Sequence, residues 1–174
     1  MRLSAENYTS QIVVKELKKK ATLAWSVGFF IVFVWVFLIL LAPISEANNF
    51  RGVSSPLYTF FSYLCHQMPS RSFHLDSHVF AVCSRCFGVY FGLLSGFIVY
   101  PIFRNINETE PLSRIWLFLA LVPMGLDWSL GFFGFWENTH WSRLITGMIL
   151  GLACAVFIIP ALVEIFQLLS RRKK

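Results

Sequence analysis

The chain has 174 residues, of which 56% are apolar, 17% aromatic and only 14% charged, with a mean hydropathy of +0.63. A soluble domain carries about 25% charged residues, so the polar surface is too small to cover a globule of this size. That excludes a disordered chain, a nucleic-acid module and most soluble enzymes. Four cysteines are too few for a secreted disulfide scaffold.

In chain order, a basic segment comes first, residues 1–20, with Arg2, Lys15, Lys18, Lys19 and Lys20. Four apolar runs follow at 21–42, 79–103, 115–136 and 144–169. Each has the roughly 20 residues that a membrane-spanning helix needs. Their charges are few: none in the first, then Arg85, Asp127 and Glu164. In lipid the backbone must satisfy its own hydrogen bonds, so each run is expected to be helical. The chain closes on a basic tail, 170–174. The expectation is an all-α integral membrane protein: one four-helix membrane domain over 21–169, flanked by the two basic segments. The first run, 22 residues long, exceeds the roughly 7–15 residue core of a cleavable signal peptide and reads as a retained helix.

An even number of spans puts both ends on one side. Those ends, with Arg104 and Arg114 in the short link between the second and third runs, hold eleven of the fifteen Lys and Arg residues. Basic residues stay cytoplasmic, so both termini are expected there and residues 43–78 outside. The net charge of +6 is then a topology signal with attraction to anionic lipid; nucleic acid is not an expected partner. Within 43–78, Pro56 opens a short apolar and aromatic stretch to Leu64. It is too short to span and reads as an interfacial or re-entrant helix that Pro69 ends.

Gly88, Gly92 and Gly96 recur every four residues in the second run, and Gly147, Gly151 and Ala155 do so in the fourth. Small residues at that spacing form one helix face and let backbones approach in lipid. They serve either a contact between these two helices or a homo-oligomer.

The expected topology puts His66, His74, His78, His140, Cys65, Cys83 and Cys86 on one side; Cys154 lies mid-span as a buried apolar residue. The densest stretch runs Cys65-His66-Gln67, then Arg71-Ser72-Phe73, then Cys83-Ser84-Arg85-Cys86-Phe87-Gly88-Val89-Tyr90. With Pro123 to Asp127 and Arg143 to Gly147, it resembles a family of small predicted integral membrane proteins of bacteria and archaea, a domain of unknown function of the DUF 2085 type. The likeness covers roughly residues 57 to 155 and departs after Asp127, where Trp128 and Leu130 stand. It implies a multi-pass protein of a bacterial or archaeal cytoplasmic membrane and supplies no activity.

Three readings of the cysteines stay open. Cys83 and Cys86 share a helix face, and Cys65 can fold back to them. Three thiolates with a histidine, His66, His74 or His78, suit a tetrahedral site for zinc, copper or an iron–sulfur centre. A Cys-x-x-Cys at a helix start beside Arg85 also suits thiol redox chemistry, with Cys65 as the resolving or shuttle cysteine. A disulfide from Cys65 to either helix cysteine would simply staple the loop. Metal binding leads, a thiol–disulfide oxidoreductase follows. Ionisable residues in spans are functional candidates: Asp127 as base or metal ligand, and Arg85 and Arg143, with Arg71, as grips on a phosphate. An ion pair of Asp127 with Arg85 or Arg143 is the plainer expectation for these residues.

Overall fold

The computed structural model describes residues 5–110 and 112–171; Arg2 and the basic residues 172–174 of the expected cytoplasmic segments lie outside them. The elements are α1 (Ala5–Ala47), α2 (Arg51–Ser62), a 3₁₀ turn (Pro69–Arg71), a hairpin of β1 (His74–Leu75) and β2 (His78–Val79), α3 (Ser84–Phe103), α4 (Ile115–Phe132) and α5 (His140–Arg171). Among the described residues, four helices are long and apolar enough to cross a membrane: Val14–Ala47, Ser84–Phe103, Ile115–Phe132 and His140–Leu169. The chain is an all-α membrane protein with one small hairpin.

The first helix is longer than its apolar run. It starts at Ala5 and runs on through the lysines, where Lys, Glu, Leu and Ala are good helix formers, and its 43 residues reach about 64 Å at 1.5 Å per residue. It passes through Pro43 and stops four residues later. Asn49 takes a left-handed φ of 60°, while Asn49 N–H donates to Glu46 C=O and Phe50 N–H to Ser45 C=O, the paired closing bonds of a Schellman stop. α2 starts at Arg51, so Pro56 sits inside it rather than at its head. α2 ends at Ser62, and Pro69 opens the 3₁₀ turn instead of ending a helix. The second span begins at Ser84 rather than at Val79, because residues 74–79 form the hairpin.

α3 and α5 lie parallel. Gly88 faces Leu144, Gly92 faces Met148 and Gly96 faces Ala155; in return Gly147 faces the carbonyl of Arg85 and Gly151 that of Val89. A Cβ on Gly92 would land on the Met148 carbonyl and 2.7 Å from its Cα. The two glycine faces therefore meet inside one chain and are not free to join copies. α1 runs antiparallel to α3: the Trp25 indole N–H donates to Phe97 C=O at 2.9 Å at one end, and Trp35 meets Tyr90, Phe60 and Phe61 edge-on at the other. In α4 only Ala120 and Asp127 are buried, so most of its apolar surface is left for lipid.

Candidate thiol site

At the end of the bundle where α3 and α5 begin and α4 stops, a cavity of about 680 Å³ opens. The 62–72 loop lines it with Cys65, His66, Met68 and Arg71; α3 gives Cys83, Arg85 and Cys86; α4 and its exit give Trp128, Phe132, Trp136, Glu137 and Asn138; α5 gives Arg143. The α2–hairpin segment reaches it because its backbone is braced. Gln67, left-handed at φ 48°, donates both amide protons, to Tyr58 C=O at 2.8 Å and to Ala81 C=O at 2.9 Å. The Tyr58 hydroxyl donates to Val79 C=O.

That bracing delivers Cys65 to the head of α3. Its sulfur sits in an apolar cluster with Ile39, Ala42, Phe61 and Val82. Cys83 is the N-cap residue of α3; its N–H donates to Cys65 Sγ at 3.2 Å, and Cys86 Sγ stands 3.6 Å from Cys65 Sγ. Burial alone would raise the thiol pKa. The Cys86 hydrogen bond outweighs it, aided by the backbone N–H groups of Cys83 and Gln67, and lowers Cys65 from 9.0 to about 4. The arrangement thus favours the deprotonated form of Cys65. Cys65, Cys83, Cys86 and Cys154 are free; 3.6 Å is contact, well beyond the bonded length of about 2.05 Å, so the stapling disulfide is not formed.

The histidines disperse. His66 lines the cavity. His74 and His78 sit on the hairpin, outside the cavity lining, because Asp76 and Ser77 both take positive φ, the conformation of a tight two-residue hairpin turn. His140 shares a hydrogen bond of 3.1 Å with Ser84 and packs on Phe73. Among the described residues, no three Cys, His, Asp or Glu side chains form a set able to hold a metal ion.

Asp127, nearly buried, pairs with Arg85, so the plainer expectation for these residues resolves in favour of Arg85. Asn138 reinforces the pair by donating to the Asp127 backbone C=O at 2.7 Å and its carboxylate at 3.3 Å. Arg143 faces the same cavity with no ion-pair partner among the described residues. Gln67 and Asn138 had no assigned role in the sequence; the signal for Gln67 was its place in the Cys65-His66-Gln67 motif.

A family model described as "Predicted membrane protein (DUF2085)" matches residues 65–157, more than half of the chain. An uncharacterized protein of Methanocaldococcus jannaschii is 37% identical over 148 residues, covering 84% of this chain and 95% of its own. One of Methanothermobacter thermautotrophicus is 33% identical over 96 residues, 55% of this chain and 85% of its own. No solved structure matches. The chain belongs to the DUF2085 family of membrane proteins.

Proposed function

We propose that this multi-pass membrane protein is a thiol–disulfide exchange protein, with Cys65 as the nucleophile and Cys86 as the resolving thiol. One observation carries this: a buried thiol that accepts the Cys83 N–H and is held against a second thiol at 3.6 Å, on the wall of an open cavity. The Cys65 thiolate attacks one sulfur of a partner disulfide. That S–S bond breaks, and the departing sulfur takes a proton. Cys86 then loses its proton and attacks the Cys65 sulfur of the mixed disulfide. The partner leaves with two thiols and two electrons, and Cys65–Cys86 is left as a disulfide; run backwards, the same steps oxidise a partner dithiol. The partner class is a protein or small-molecule disulfide or dithiol. The excess of Lys and Arg at the other end supports an extracytoplasmic placement.

A soft metal ion is the alternative occupant, and one distance favours it. Two sulfurs on a tetrahedral ion with arms of about 2.3 Å stand about 3.8 Å apart, close to the 3.6 Å found here. Cys83 and His66 would have to turn onto the ion to complete its ligands.

Titrating the purified protein through glutathione buffers separates the two. Under exchange chemistry, two thiols disappear in one two-electron step, peptide mapping finds Cys65 joined to Cys86, and Cys86→Ser traps a mixed disulfide on Cys65. Stoichiometric zinc, copper or iron in protein isolated without chelator, with Cys65, Cys83 and Cys86 unlabelled until it is removed, would overturn the exchange proposal and establish the metal.

A further inference from the structure

We propose that the cavity is a binding site for a phosphate-class oxyanion, gripped by Arg71 and Arg143. This stands apart from the thiol chemistry and does not rest on it. Arg71, Arg85 and Arg143 all line the one cavity. Arg85 is spoken for by Asp127. Glu137 is exposed at the rim. Among the described residues, neither Arg71, Arg143 nor Glu137 makes an ion pair; the ion pairs there are Arg51–Glu46, Arg85–Asp127 and Arg104–Glu108. The Cys65 sulfur is already engaged by the Cys86 sulfur and the Cys83 N–H.

The backbone adds to the same potential. Because α3 and α5 are parallel, both their N-termini, the positive ends of the helix dipoles, lie at this end of the bundle. Arg85 and Arg143 stand in the first turns of these helices. Five residues separate Cys65 from Arg71, and the 3₁₀ turn at Pro69–Arg71 brings the guanidinium back to the cavity its own loop opened. Arg85 Nε is buried with no hydrogen-bond partner, a donor still to be satisfied. Two guanidinium groups with no ion-paired carboxylate, beside Trp128, Phe132 and Trp136, suit an anion that accepts several charge-assisted hydrogen bonds. A tetrahedral oxyanion supplies them. Its source is a free phosphate or the phosphodiester of a lipid headgroup, since the cavity sits at the end of the membrane-spanning helices.

The test uses the full-length protein in detergent and in nanodiscs. Inorganic phosphate is titrated by calorimetry, and retained phospholipid is counted by native mass spectrometry after exchange between phosphatidylglycerol and phosphatidylcholine nanodiscs. Saturable phosphate binding, weakened at least about tenfold in Arg143→Gln and in Arg71→Gln, supports the site with a free anion as its source. No phosphate binding, with one phosphatidylglycerol retained by the native protein and lost in both variants, supports it with a headgroup as its source. Arg71 is exposed on a loop, so Arg71→Gln tests the site without endangering the fold. Glu108→Gln, at the other end of the bundle, leaves binding unchanged. Absence of both ligands, or binding that survives both arginine substitutions, overturns the proposal.

Discussion

α3 and α4 are neighbouring spans of similar length, yet they are held by different physics. α3 is locked to α5 by glycines that let carbonyls and Cα atoms touch where side chains would stand. α4 has almost no buried apolar surface; its inward residues are Ala120 and Asp127, and its C-terminal half is tied by Arg85–Asp127 and by Asn138. In lipid, where apolar surfaces gain nothing by leaving the solvent, close packing and polar ties are the two available adhesives. This protein uses one for its frame and the other for the wall of its cavity. The thiols and Arg143 ride on or against the frame; Trp128 and Phe132 ride on the wall.

The largest effect expected from breaking this contrast is at the frame. Gly92→Leu drives a side chain into the Met148 backbone, which cannot rotate away, and should cost about 3 kcal/mol or more. It would be read as a collapse of the thermal midpoint in detergent; a normal midpoint would mean that the α3–α5 contact is not what holds the bundle. Next comes the tie. Asp127→Asn strands the half-buried Arg85 and should cost about 2 kcal/mol, less than the loss typical of a buried pair in a soluble core because a membrane reference state offers other partners. A spin-label pair between α4 and α3 should broaden in distance while α3–α5 stays fixed. Pairing Asp127→Leu with Arg85→Met should recover most of the loss, and failure to recover would assign the effect to packing.

The smallest effect concerns the thiolate. The folded pKa of Cys65, about 4, lies below its ordinary 9.0, so across that window the folded state holds fewer protons than the unfolded chain. Its contribution to stability is complete above pH 9, declines as the pH falls, and is gone below about 4. Alkylation of Cys65 by iodoacetamide, followed by peptide mapping, should therefore be flat from about pH 8 to 5 and fall about tenfold per unit below 4. Cys86→Ala removes the main hydrogen-bond partner and should move that fall upward by about one unit, the worth of one hydrogen bond to a charged group. A profile unmoved by the substitution would shift the credit to the backbone N–H groups.

Much of the frame was legible because its signals are local. Run length and charge mark the spans, and glycine every fourth residue marks two faces that found each other. The meeting of Cys65 with the α3 cysteines was legible as well, since a loop of that length folds back. The histidines were not. Their dispersal depends on two consecutive left-handed residues, Asp76 and Ser77, neither of them the glycine that usually announces such a turn. The extension of α1 into the lysines was missed because hydropathy measures where lipid stops, while helix propensity continues into water. The choice of Arg85 over Arg143 as the partner of Asp127 needed the helix register, which spacing within one segment cannot supply.

The two hydrogen bonds from Gln67 have a kinetic meaning. They fasten the chain beside Cys65 to α2 on one flank and to the bend between β2 and α3 on the other. Sulfur at this position is thus left with side-chain rotation as its only cheap motion. Under the proposed exchange chemistry, a covalent change there would involve little reorganisation of the backbone, and its rate would be set by encounter with the partner rather than by remodelling of the loop.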